Sequence, residues 1–292
     1  VRKLDALLLL GPVVLVSACA ADPPSIEWRD PETVTVPLAT TWPPTVKVTL
    51  DGKDKAAHAK LMVDTGAEES AIDERIADWL ELGRTWRLST VEGFAEEQGG
   101  VGHHVVFPRK LAGLEVQGAC RLEGLSVLPL PGSTQRDGVL ALGAFRGRAL
   151  LLDPVARRVS FVPRERVEAL AHEEGAVSVP VHREGKLLVA EVEIGDQQNR
   201  RFVDMVLDTG AQDSFVTDAA LEGAQHVRLG GVDLGQRLFR LEHGGDYSTL
   251  GGGVLLDMDR AILFDMEGSR VVLLVPRVAR AGATWDAAER SR

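Results

Sequence analysis

The chain has 292 residues, enough for one large or two ordinary domains, with 45% hydrophobic residues, 30 glycines and a formal charge of -10. That balance excludes a disordered chain or a repeat fibre. The acidic surplus argues against nucleic acid as a partner, because binding its backbone needs a basic surface.

Arg2 and Lys3 precede an apolar run from Leu7 to Val16, interrupted only by Gly11 and Pro12, and Val16-Ser17-Ala18-Cys19 follows. A charged start, a short apolar core and small residues before a cut describe a secretory signal over residues 1–19. The apolar run is too short to span a bilayer. The cysteine at the cut resembles the bacterial lipobox. That resemblance implies that Cys19 is acylated and that the protein is exported and lipid-anchored in a bacterial membrane of the cell envelope. Ala20 resembles the outer-membrane sorting residue, which implies the periplasmic or surface side of that membrane. With Cys19 so used, Cys120 has no partner in the chain and reads as a buried small hydrophobe.

Residues 20–32 are polar and contain Pro23, Pro24 and Pro31, the composition of a tether. A β-rich lobe is expected over 33–163. Val34-Thr35-Val36-Pro37-Leu38 alternates like a strand, and Asp51-Gly52 is a hairpin turn whose second arm runs into Leu61-Met62-Val63. A short helical pattern covers Asp73 to Leu82. Residues 164–175 are charged and read as a short helical linker. A second lobe is expected over 176–276, with 277–292 as a polar tail.

The second lobe repeats the first. Val177 stands 31 residues before Asp208, as Val34 stands 30 before Asp64, and Ile194 and Leu50 each stand 14 before their aspartate. Arg148-Ala149-Leu150-Leu151-Leu152-Asp153 matches Arg260-Ala261-Ile262-Leu263-Phe264-Asp265, each followed by a turn and another strand. Short apolar runs separated by glycines give an all-β expectation for two long copies of one unit. The copies differ in length: 84 residues separate Asp64 from Arg148, but 52 separate Asp208 from Arg260. The excess contains Gly93, Phe94, Gly99 and Gly100 and a strand pattern from His103 to Phe107, together a hairpin able to lie across a cleft.

The repeat is clearest at Leu61-Met62-Val63-Asp64-Thr65-Gly66-Ala67-Glu68-Glu69-Ser70 and Met205-Val206-Leu207-Asp208-Thr209-Gly210-Ala211-Gln212-Asp213-Ser214. In each, an apolar strand end runs into Asp-Thr-Gly-Ala, and a serine follows. Gly66 and Gly210 let the two turns approach closely. Two carboxylates about 4 Å apart, at an effective dielectric of about 20, repel by roughly 4 kcal/mol, or about three pKa units. Such a pair holds one proton between its members. One can then deprotonate a water while the other donates to a carbonyl oxygen, which cleaves an amide without metal, cofactor or covalent intermediate.

These motifs resemble those of retropepsin-like aspartic proteases, over about residues 34–276, and their pairing in one chain resembles the two-lobed pepsin arrangement. The resemblance implies a two-lobed acid-protease-like fold with Asp64 and Asp208 as the catalytic pair. It implies that Thr65 and Thr209 brace the paired loops by hydrogen bonds across the lobe boundary. Gly66, Ala67, Ser70, Gly210, Ala211 and Ser214 would support them. It also implies a flap over an extended peptide or protein substrate, and a monomer whose own lobes pair. An apolar-apolar-Gly element is expected beneath each loop. Asp137-Gly138-Val139-Leu140 and Leu142-Gly143 both approximate it in the first half. Gly252-Gly253-Val254-Leu255-Leu256 approximates it in the second, with Leu256 where glycine is expected.

Other chemistries lack residues. His103 and His104 are adjacent and would face opposite ways in a strand, no His-Glu-x-x-His occurs, and no Gly-x-Ser-x-Gly elbow occurs. The competing reading is a non-catalytic lipoprotein that binds extended peptides in the same cleft.

Overall fold

A computed structural model describes residues 23–40, 43–85, 89–95, 100–130, 137–195, 198–242 and 247–275, with backbone alone for the parts of 90–105 among them. The strands of the first half are β1 (Ser25–Trp28), β2 (Val34–Pro37), β3 (Thr45–Asp51), β4 (Ala56–Asp64) and β5 (Ala71–Asp73), followed by helix α1 (Glu74–Trp79). Then come β6 (Ser89–Ala95), β7 (Gly100–Val106), β8 (Arg109–Lys110), β9 (Gly113–Val116), β10 (Cys120–Glu123), β11 (Ser126–Leu130) and β12 (Gly138–Ala141). The half closes with β13 (Arg148–Asp153) and β14 (Arg158–Pro163), and helix α2 (Arg164–Ala171) leads into the second. There the chain forms β15 (Val177–Glu184), β16 (Leu187–Ile194), β17 (Arg201–Asp208), β18 (Ser214–Val216), β19 (Gly223–Leu229) and β20 (Val232–Leu241). It ends with β21 (Ser248–Gly251), helix α3 (Gly252–Leu255), β22 (Ala261–Asp265) and β23 (Arg270–Leu274). The fold is all-β and two-lobed.

The duplication is visible in the pairing. Hairpin β3–β4 matches β16–β17, and each aspartate ends the second arm. A parallel neighbour, β12 or β21, then runs beside that arm, so that Ala141 faces Asp64 and Gly251 faces Asp208. The turns after β13 and β22 are also copies. Asp153 accepts from Ala156 N and pairs with Arg158; Asp265 accepts from Gly268 N and pairs with Arg270.

The two lobes share a sheet. Strands β15-β23-β22-β13-β14-β2 are consecutive, and β13 meets β22 with Leu150, Leu151 and Leu152 opposite Phe264, Leu263 and Ile262. Helix α2 covers one face, where Val167 packs with Ala149, Val162, Leu263 and Val272. The register of this sheet fixes how the halves meet, since slipping by one residue would exchange the side chains packed in the main core with those packed under α2.

The lobes differ in closure. Strands β17-β21-β18-β20-β19-β16 form a ring because β16 also pairs with β17. The ten-residue β20 makes this possible, since it reaches both β19 and β18. In the first lobe the corresponding path is split into β10 and β11, and the sheet stays open with β1 and β8 at its edges. The first lobe also carries the ladder β6–β7, a separate two-stranded sheet. In the second, Leu221 is followed almost directly by β19, so the hairpin expected in one half only is present in one half only.

The N-terminal stretch corrects one expectation. Residues 25–28, placed in the tether, form β1, antiparallel to β10. The prolines bound a strand instead of forming a coil, because Ile26 and Trp28 alternate inward and pack on the core. The Trp28 ring lies 5.4 Å from that of Phe161, and the Arg148 guanidinium sits 4.2 Å over Trp28. Arg148 also donates to the carbonyls of Asp30, Pro31 and Glu32. The signal segment 1–19, with Cys19, and the tail 277–292 lie outside the described residues. Among the described residues no helix is long and apolar enough to cross a membrane.

Arg148→Ala removes a cation–π contact and donors to four carbonyls, that of Phe161 included, so it is expected to cost about 1–3 kcal/mol. Urea unfolding measures the loss, and amide exchange should quicken in β1 before it does in β13.

Candidate active site

Strands β4 and β17 end in buried apolar residues because both faces of their last turns are covered: Leu61 and Val63 are inaccessible, as are Met205 and Leu207. Each strand breaks at its aspartate. Thr65 and Thr209, almost wholly buried, then meet across the lobe boundary. Thr65 N donates to Thr209 Oγ1 and Thr209 N to Thr65 Oγ1, both at 3.1 Å. Thr65 Oγ1 donates to Leu207 O at 2.5 Å, and Thr209 Oγ1 to Val63 O at 2.8 Å. Four buried polar groups are thereby satisfied by the other lobe, with no water needed.

The crossed threonines bring the turns together. A Cβ on Gly66 would overlap the carboxyl of Asp208, and one on Gly210 would overlap that of Asp64. The sequence expectation that glycine is needed for close approach therefore holds, and the group approached is in each case the other aspartate. Gly66 N donates to Asp64 Oδ1 at 2.8 Å; Gly210 N and Ala211 N donate to Asp208 Oδ1 at 2.6 and 3.0 Å. These fixed N–H groups orient the carboxyls toward each other.

Burial foremost, then the charge of Asp208 and the hydrogen bond shared with it, hold the Asp64 carboxyl well above the ordinary carboxylate range. The N–H groups of Gly66 and Ala67 oppose this. The physical content is a proton retained by two carboxyls that cannot both ionise cheaply.

The serines act one layer out. Ser70 Oγ accepts from Ala141 N and Ser214 Oγ from Gly251 N, both at 3.0 Å, so each ties its loop to the parallel strand beneath. Ala141 and Gly251 are site residues that motif reading missed, because the contact is to backbone and any residue supplies an N–H. In the first half the supporting strand is Gly138–Ala141, and Leu142-Gly143 begins the following 3-10 turn. In the second half the expectation is corrected. The strand is Ser248–Gly251, while Gly252–Leu255 is helical. The glycines lie there because of close approach: a Cβ on Gly251 would overlap Asp213 O, and one on Gly253 would overlap Gln212 O. Leu256 is the C-cap of that helix and packs against the core.

Of the hairpin residues, Gly93 and Phe94 lie in β6 opposite Gly102 and Val101, and Gly100 begins β7 opposite Ala95. Gly99 lies outside the described residues. Cys120 is buried, and burial pushes its thiol up to about 12, which leaves it inert as a nucleophile. Among the described residues no three His, Cys, Asp or Glu side chains are grouped to hold a metal ion.

No protein-family model and no curated protein matches this sequence.

Because the folded-state pKa of Asp64 lies above the unfolded one, its contribution to stability is fully present below the ordinary carboxylate pKa. It is lost as pH rises through the raised value. Asp64→Asn cannot ionise, so near pH 7 its Tm is expected to exceed the parent's by on the order of a few degrees. The advantage should vanish toward pH 3. Gly210→Ala drives a methyl into the Asp64 carboxyl and is expected to destabilise by about 1–3 kcal/mol, measured by urea unfolding.

Proposed function

We propose that the protein is an aspartic endopeptidase that hydrolyses peptide bonds through a water shared by Asp64 and Asp208. The observation that carries this reading is the reciprocal packing of the two carboxyls, each against the glycine of the other's turn. A water bound between them faces one carboxylate able to take its proton and one carboxyl able to give one. As the water oxygen attacks the peptide carbon, its proton passes to the ionised aspartate, and the carbonyl oxygen receives the proton held by the other. Collapse of the resulting diol breaks the C–N bond, and the amine leaves with a proton returned from the pair.

Two further features support the assignment. The carboxyls sit at the ends of strands tied by buried hydrogen bonds, so they are positioned before substrate arrives and need no reorganisation. The β6–β7 hairpin is confined to one lobe, which suits a single flap over a peptide bound as an added strand. On this reading the chain is a retropepsin-like aspartic protease with both halves of the site in one polypeptide, acting as a monomer without metal or cofactor. Residues 1–19 are taken as a lipoprotein signal with Cys19 acylated. Since β1 begins at Ser25, only residues 20–24 then separate the lipid from the fold.

The test is incubation of the purified protein with denatured protein substrates from about pH 3 to pH 8. Cleavage is expected, and Asp64→Asn and Asp208→Asn should each reduce it by at least about 10³-fold while leaving the protein folded. Activity should fall on the alkaline side as the shared proton is lost. That limb should lie above the ordinary carboxylate range, because burial and the neighbouring charge retain the proton. Peptide binding without cleavage at any pH would replace this reading with that of a binding lipoprotein.

A further inference from the structure

The two aspartate loops are braced differently. In the second lobe, helix α3 holds the loop after Asp208 directly: Gly252 N donates to Ala211 O at 2.7 Å and Gly253 N to Gln212 O at 3.2 Å. The matching groups of the first lobe are the N–H groups of Leu142 and Gly143 and the carbonyls of Ala67 and Glu68. Among the described residues no backbone hydrogen bond joins them. The Asp64 loop therefore lacks, within its own lobe, a brace that its counterpart has.

The missing support comes from the other lobe. The β15–β16 hairpin turns at Gly185 and Lys186, between paired residues Glu184 and Leu187. Gly185 has φ +61°, and a Cβ there would overlap the Glu68 carboxylate. The tip is thus seated against the Asp64 loop. The stem of Lys186 lies beside Gly143, and its ammonium is 3.6 Å from Glu69 Oε1. Lys186 thus reaches both Gly143 and the end of the Asp64 loop at Glu69. The tip is itself anchored, since Tyr247 Oη donates to Glu184 at 2.9 Å and Tyr247 directly precedes β21, the strand beside Asp208.

Asp213 holds the position of Glu69 in the second motif, and it pairs with Arg240 of its own lobe at 3.1 Å. The first-lobe residues that match Gly185 and Lys186, 41 and 42, lie outside the described residues; on either side of them Ala39 N donates to Thr45 O, and the hydroxyls of Thr40 and Thr45 are 2.8 Å apart.

We infer that Lys186 is a positioning residue: through Glu69 and across Gly143 it clasps the Asp64 loop from the second lobe and sets the geometry of the catalytic pair. Its effect on turnover rests on the peptidase reading, whereas its effect on the loop does not. Lys186 is exposed, so Lys186→Met, which keeps the stem and removes the charge, should fold.

Two measurements on the whole protein test the clasp. In Lys186→Met, amide exchange at Gly66, Ala67 and Glu68 is expected to accelerate, while Gly210 and Ala211 remain unchanged. In the same variant kcat for a peptide substrate should fall about tenfold at constant KM, because a displaced catalytic group costs rate without costing ground-state binding. Lys186→Arg should restore both, and so should the exchanged pair Lys186→Glu with Glu69→Lys. Unchanged exchange in the 66–68 segment overturns the clasp. Faster exchange with unchanged kcat overturns its role in positioning the pair. Faster exchange in a protein whose parent cleaves nothing overturns the peptidase reading and leaves the clasp standing.

Discussion

Two carboxyl groups are pressed together, Asp64 buried and Asp208 half-buried, and the groups around them keep them there. Left to themselves they would separate, since desolvation and like charge both oppose the arrangement. They are held by residues that gain from the same approach. The Thr65 and Thr209 hydroxyls each satisfy a buried carbonyl of the opposite lobe and accept the opposite backbone N–H. Separating the aspartates would orphan all four bonds, and each unsatisfied buried group costs about 1–3 kcal/mol. The price of the dyad is thus met by the polar backbone around it, without a compensating cation.

The shared sheet supplies the second constraint. Threonines can cross only if the lobes meet in one register, and the pairing of Leu150–Leu152 with Ile262–Phe264 fixes that register through buried side chains. Each half contributes half of the sheet and one aspartate, so neither half completes the arrangement alone. Around this symmetric centre the lobes diverge. The second closes into a ring and braces its own loop through α3. The first remains open, gains a hairpin and an added edge strand, and receives its loop support from across the boundary.

The peptidase reading follows from this asymmetry as well as from the dyad. On that proposal the β6–β7 ladder, a two-stranded sheet carried by the first lobe, is the element that would cover an extended substrate.

The sequence by itself determined the all-β class, the duplication, the helices after Asp73 and after Pro163, and the pairing of Asp64 with Asp208. These are local or repeated signals: alternation, short helical patterns, and one motif written twice. Tertiary structure decided what depended on backbone groups or on distant packing. Residues 25–28 read as tether because their prolines are visible in sequence, whereas Phe161 and Arg148, which make them a strand, lie more than a hundred residues away. The strand beneath the second loop was read a few residues late. Its glycines announce close approach, but only the fold shows that Asp213 O and Gln212 O are what they approach. Lys186 carried no signal at all. A lysine in a polar turn is ordinary until the second lobe sets it beside Glu69, because a side chain's partner is chosen by the packing of whole elements and not by its neighbours in the chain.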